Sequence, residues 1–290
     1  NSNGNLNKGD TTYKYNSVNR LASCLSSYAY DSTGNVTTAG SNNFKYDSDS
    51  RITSIDNKDT KSDADGNLTN YTLNATSHTA SYNSQNQLTA YDDTKFSYDA
   101  DWNRSYNGAG YANGQLLSDN NYTYVYGANG LVSFSNGKDT YTNTYDNRGD
   151  VVKVLDSTGA VSGTIKYSDY GAVTSQTGIV SSFKYAGQYG AITDNNGLVY
   201  LKTRYYNPQI MRFMNRDTVA GSITDSQSLN RFSYVEGNPL TYVDLNGQAR
   251  TWLSSHFGIL GGLGWDGLEM IPVLGNVMSV IDLVGDLASG

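Results

Sequence analysis

Between residues 13 and 193 the sequence keeps rewriting one short phrase. "YKYNSVNRLAS" (13–23), "YAYDSTGNVTT" (28–38), "FKYDSDSRITS" (44–54), "SYNSQNQLTAY" (81–91), "FSYDADWNRSY" (96–106), "NTYDNRGDVVKV" (143–154), "IKYSDYGAVTS" (165–175) and "FKYAGQYGAIT" (183–193) align on aromatic-x-Tyr-Asp-x-x-Gly-Asn-apolar, and "KSDADGNLTNY" (61–71) is a weaker copy. The anchoring position falls at Tyr15, Tyr30, Tyr46, Ser62, Tyr82, Tyr98, Tyr124, Tyr145, Tyr167 and Tyr185, at intervals of 15 to 26 residues. Such a unit is too small to bury a face alone, so copies must stack on their neighbours.

Each unit reads as a β-hairpin. Alternation in "FKY" puts two aromatics on one face of a strand. The Asp/Ser/Asn-x-x-Gly segment supplies a left-handed backbone position and a side chain able to bond its own turn, and the apolar residue after it starts the return strand. A lone hairpin is marginal in water, so the copies are expected to join into a continuous, coiling sheet. The predicted class is all-β, with 1–199 as a repeat wall.

Composition agrees. Leu, Ile, Val and Phe make up about a fifth of the chain, near the disordered range, but 25 tyrosines and 30 glycines against 3 prolines point to many short strands and tight turns. The net charge is −7 and the basic residues are scattered, which argues against a nucleic-acid partner. One cysteine, Cys24, and two histidines, His78 and His256, exclude an internal disulfide and a Cys/His zinc cage. No cofactor or metal is expected. "NSNGNLNKGD" has neither a basic n-region nor an apolar h-region, so the chain reads as a fragment with any export signal upstream.

The Tyr-Asp-x-x-Gly-Asn unit resembles the YD repeat of Rhs proteins, toxin-complex C components, bacterial wall-associated proteins and teneurins. "YLKTRYYNPQIMRFMNRDTVAGSITDSQSLNRFSYVEGNPLTYVDLNG" (200–247) resembles the Rhs repeat-associated core in order and spacing. The resemblance implies a hollow β-shell closed by a core or plug at 200–248. Such a shell encloses or presents a C-terminal toxin payload absent from this chain, alongside an immunity protein and secretion or delivery machinery. It also implies a secreted or cell-surface bacterial protein, the Thr218 variant of Arg-Asp-Pro pointing to a Gram-positive source.

In some members two aspartates of these motifs form a self-cleaving aspartyl protease. The matching residues are Asp217 and Asp244, with Arg212 and Arg216 beside the first, and a cut would fall at Gln248–Ala249. Two carboxylates within reach of each other cannot both ionise cheaply, so one activates water while the other protonates the leaving amide. The structural alternative has Asp217 paired with a neighbouring arginine and Asp244 capping its own turn. Met211 replaces the usual Gly, Leu245 the usual Pro, and Gln248 an apolar residue.

Other motifs have simpler readings. "DADG" (63–66) opens like a calcium loop but has no glutamate at the twelfth position and coincides with a repeat turn. Trp102 is expected on the sheet face, with glycan stacking as its alternative, and His78 in a solvated polar loop. No Gly-x-Ser-x-Gly elbow is present. A carbohydrate-binding adhesin and an inert structural scaffold are the competing functions.

After Gly247 tyrosine disappears. In 249–290 the residues Ile271, Leu274, Val277, Met278, Ile281, Val284 and Leu287 fall on one helical stripe behind Pro272, interrupted by Asp282 and Asp286. This predicts an amphipathic helical tail resembling a pre-toxin linker, with membrane contact as the alternative reading.

Overall fold

A computed structural model of the chain describes residues 13–105, 108–112, 114–218, 221, 226–248 and 250–252. Every strand among them pairs antiparallel with the one before or after it in sequence. Five strands run from Tyr28–Tyr30 to Lys58–Asp59, five from Lys61–Ser62 to Thr94–Lys95, and eight from Gly110–Ala112 to Val173–Gly178; a further four run from Ile192–Thr193 to Arg212–Phe213. Two-stranded pieces at 14–23, 97–105 and 242–252 complete the array. The only helical turns among the described residues are 3₁₀ turns at Gly187–Tyr189, Ser226–Leu229 and Val235–Gly237. The all-β repeat architecture is as the sequence predicts; the helical tail lies outside the described residues.

Between sheets the ladder turns a corner. Thr60 still donates backward to the Thr53 carbonyl and Phe96 to that of Thr89, while the residues just after them pair forward. One extended stretch thus changes partners without a loop, which lets the ribbon bend as it grows.

The turn chemistry explains why the unit needs its aspartate. Asp47 Oδ1 accepts the backbone N–H groups of Asp49 and Arg51 at 3.0 and 2.8 Å, and Asp63 does the same for Asp65 and Asn67. Asp99 and Asp146 repeat the arrangement, and Asn16 and Asn83 supply the same oxygen from an amide. One side-chain oxygen therefore satisfies two turn donors. The residue three positions on is left-handed in each case, as in Gly34, Ser50, Gly66, Asn86 and Gly149.

The anchoring tyrosine has a second task. A β-bulge precedes it in copy after copy, between Ala29 and Tyr30, Lys45 and Tyr46, Ser81 and Tyr82, Thr144 and Tyr145, and Lys166 and Tyr167. The bulge re-aims the ring, and its hydroxyl donates to a carbonyl of the preceding unit: Tyr30 to Leu21, Tyr46 to Val36, Tyr82 to Leu68, Tyr98 to Leu88, Tyr145 to Leu131 and Tyr167 to Val151, at 2.5–3.0 Å. Adjacent repeats are stitched by phenol-to-carbonyl bonds, and their apolar faces merge into one buried core.

Four sequence expectations need correction. The anchor of the seventh unit is Tyr126, whose hydroxyl meets the Leu116 carbonyl at 2.8 Å behind a bulge; Tyr124 instead donates to Asp119. Tyr185 heads no regular repeat hairpin: the arms of its unit meet only at the antiparallel bridge Phe183–Ile192, the chain between them coils into the 187–189 turn, and the ring is buried against Tyr206 and Tyr234. Trp102 occupies the left-handed turn position (φ 66°) rather than the sheet face. His78 lies on the strand Thr76–Tyr82, between the rings of Tyr71 and Tyr91, with Nδ1 2.8 Å from Asp92 Oδ2.

Candidate active site in the closing segment

The repeats present their turns in a row, and the segment from 198 to 238 is fastened along it. Tyr200 donates to the Trp102 carbonyl, Arg212 to Ser50, Asn215 to Asn86, Asn230 to Thr33 and Asn238 to Asn19, at 2.6–3.2 Å. Each acceptor is a carbonyl of an Asp/Asn-capped turn. The Tyr206 hydroxyl adds a bond to the Tyr170 carbonyl at 2.7 Å, and Leu68 donates its N–H to Met214. Repeat turns cannot all satisfy their outward carbonyls, and this non-repeating stretch supplies the missing donors.

Arg204 stands at the centre of the segment. Lys202, left-handed at φ 62°, makes the tight turn that pairs Leu201 with Arg204 and opens the fully buried strand Arg204–Asn207. Strand alternation sends Tyr205 one way, against Arg104 and Phe96. Arg204 and Tyr206 go the other way, where the guanidinium lies 3.4 Å over the Phe213 ring.

Both candidate carboxylates converge on this guanidinium. Nη2 is 2.8 Å from Asp217 Oδ2 and 3.5 Å from Asp244 Oδ2. Nε donates to the Gly247 carbonyl and Nη1 to that of Arg231 at 3.0 Å. The Asp217 backbone is fixed in turn, its N–H donating to the Arg231 carbonyl at 3.0 Å while Arg231 Nη2 donates to the Asp217 carbonyl. Burial pulls the Arg204 guanidinium below the ordinary arginine range, against the opposing pull of Asp244 and Asp217.

The Asp244 turn is built like the repeats. Its Oδ1 accepts from Asn246, Gly247 and Gln248 at 3.3, 2.8 and 3.1 Å, and Gly247 takes the left-handed position at φ 80°. A Cβ on Gly247 would stand 2.9 Å from the Leu201 carbonyl, so only glycine lets the turn lie this close to the 201–204 hairpin. Thr203 clasps it from the other side, donating its hydroxyl to the Asn246 carbonyl at 2.7 Å.

The aspartates, 27 positions apart in sequence, are thus brought together. The arginine in ion-pair contact with Asp217 is Arg204, which sequence reasoning missed although it opens the quoted "RYYNP". Arg212 points elsewhere, onto the Ser50 carbonyl and between the rings of Tyr46 and Phe232, while Arg216 is exposed. Gln248 is half-buried with its N–H on Asp244; Ala249 lies outside the described residues. No group of three metal-ligating side chains occurs among the described residues, and the described tyrosines are buried or half-buried.

Two more buried ion pairs flank the site. Arg104 meets Asp194 at 2.6 Å and stacks on Tyr200; Arg148 meets Asp150 at 2.6 Å, and burial pushes the Asp150 carboxyl up to about 7 against the pull of that arginine.

No protein-family model matches the chain. Over 146 residues it is 30% identical to the tRNA3(Ser)-specific nuclease WapA of Bacillus spizizenii, a match covering 49% of this chain and 6% of that protein. The tRNA nuclease WapA of Bacillus subtilis strain 168 is 29% identical over 146 residues with the same coverage. The matched region is therefore a small fraction of these curated relatives. A crystal structure of TcdB2-TccC3-TEV superposes on 82% of this chain and 15% of its own, with a TM-score of 0.51 at 16% identity, which shows a shared fold.

Proposed function

Because this chain is an Rhs/YD-repeat protein, we propose that it is the closing end of a toxin-carrying shell whose cap cuts its own chain after Gln248. In this reading residues 1–199 form wall, 200–248 the cap, and 249–290 lead to a payload matched by an immunity protein. The assembly is secreted or held at a bacterial surface, where delivery machinery uses it. The similarity to tRNA nucleases covers too little of those proteins to assign nuclease activity to these residues.

The observation that carries the self-cleavage reading is the convergence of Asp217 and Asp244 on one Arg204 nitrogen, with the chain after Gly247 tied to Asp244. One carboxylate takes a proton from water as the oxygen adds to the Gln248 carbonyl carbon. The other, carrying a proton, gives it to the departing Ala249 nitrogen as the C–N bond breaks. Arg204 holds both carboxyls in place and, by its bond to the Gly247 carbonyl, keeps the scissile strand beside them.

A reporter domain joined after Gly290 tests the whole reading. With native residues it is expected to run as a separate band on a denaturing gel yet co-elute with the shell under native conditions; with Asp217→Asn it stays covalently attached. A wild-type fusion that remains one chain removes the cleavage. A second reading, a catalytically silent latch, is favoured by Arg204 itself, since a guanidinium shared by two carboxylates also neutralises them.

A further inference from the structure

Among the described residues, one strand breaks a rule that the other sheet edges obey. The outermost strands Lys14–Tyr15, Tyr28–Tyr30, Lys58–Asp59, Lys61–Ser62, Thr94–Lys95 and Gly110–Ala112 are two or three residues long, and so are those bounding the smaller sheets. Four of the six carry a lysine. Short, charged edges discourage pairing with other chains. Val173–Gly178, the last strand of the eight-stranded sheet, is six residues long, and all six are exposed. Its sequence "VTSQTG" contains no charge and no proline.

This strand pairs on one side only, with Val161–Tyr167, in register from Gly163↔Gly178 to Tyr167↔Val173. In an antiparallel ladder alternate residues point N–H and C=O away from the existing partner, so the outer side of Val173–Gly178 presents a row of backbone donors and acceptors. We propose that this edge is an association surface filled by the same strand of a second copy, running antiparallel about a two-fold axis and extending the eight-stranded sheet across the interface.

Self-pairing fits the residues. A two-fold axis at Gln176 sets Ser175 opposite Thr177 and Thr174 opposite Gly178, so no like charges meet and hydroxyls face hydroxyls. The existing pair already shows that chemistry, with Thr164 Oγ1 2.8 Å from Thr177 Oγ1. The nearest charge on the neighbouring strand, Lys166, pairs with Ser175 and shares its face, but two intervening strands separate it from its symmetry mate across the interface. A foreign strand would find the same backbone groups but no such side-chain match.

Sedimentation equilibrium of the 290-residue chain over a wide concentration range tests this. The expected result is a reversible monomer–dimer equilibrium, at least tenfold weaker in T174K/Q176K, which alters only exposed positions. Gln176→Cys should form a disulfide dimer through its own copy under mild oxidation, mapped by mass spectrometry of the linked peptide. A chain that stays monomeric throughout, a dimer indifferent to both lysines, or a disulfide running only through Cys24 would overturn the proposal, as would capture of a different chain's strand at this edge with no self-association.

Discussion

The hydroxyl of Tyr46 donates to the carbonyl of Val36 at 2.8 Å, reaching from one repeat into the return strand of the repeat before it. The bond lies across the seam between units, so it couples their stabilities rather than strengthening either alone. Tyr46→Phe keeps the ring and orphans the carbonyl. The expected loss is about 1 kcal/mol, read as a lower urea midpoint with an unchanged m-value. Tyr124→Phe, whose lost hydroxyl bonds Asp119 and not a carbonyl of the preceding return strand, should leave inter-repeat coupling intact.

Glycines at left-handed positions separate strain from crowding. Gly159 (φ 85°) has open space where a Cβ would go; Gly171 (φ 90°) would set one 2.4 Å from the Tyr185 ring. Gly159→Ala is expected to cost about 1 kcal/mol from backbone strain alone. Gly171→Ala adds overpacking of a buried tyrosine and should cost about 3 kcal/mol or more. Chemical denaturation of the two variants side by side checks the difference.

Removing Arg204 leaves two buried carboxylates without their shared cation. Arg204→Met should destabilise the chain by about 4 kcal/mol, and adding Asp217→Asn to that background should restore part of the loss. A double-mutant cycle measures the coupling; additive effects would mean that the pair contributes nothing.

Asp150 predicts a pH dependence of definite sign. Burial pushes its carboxyl, beside Arg148, up to about 7 in the folded chain, from 3.8 when the chain unfolds and exposes it. Between those values the folded state holds the extra proton, so stability from this group is full below about pH 4 and declines as pH rises through 7. Urea midpoints across that range should show the decline in the wild type, and Asp150→Asn should flatten it.

Much of this was legible in the sequence, because the repeat states its own chemistry. Asp47 and Gly66 announce a capped turn with a left-handed corner, and Tyr46 announces a half-buried strand. What escaped was frame and direction. Tyr124 and Tyr126 both fit an alternating pattern, and only the bulge between Val125 and Tyr126 decides which anchors the unit. Trp102 reads as a sheet residue because its bulk hides a position that other units fill with glycine, asparagine or serine. Asp217 and Asp244 could be named from their motifs, but Arg204 could not, since nothing local says that a strand pairing from Leu201 will carry its guanidinium across to both.

The central proposal is that the Asp217–Asp244 pair severs the Gln248–Ala249 bond, one residue beyond the Gly247–Gln248 peptide whose N–H Asp244 accepts. Intact-mass measurement of the purified 290-residue chain against its Asp244→Asn variant reads this directly. The account predicts two wild-type species with a break between Gln248 and Ala249, and a single full-length mass for the variant. A wild-type chain that keeps its full mass through prolonged incubation would contradict it.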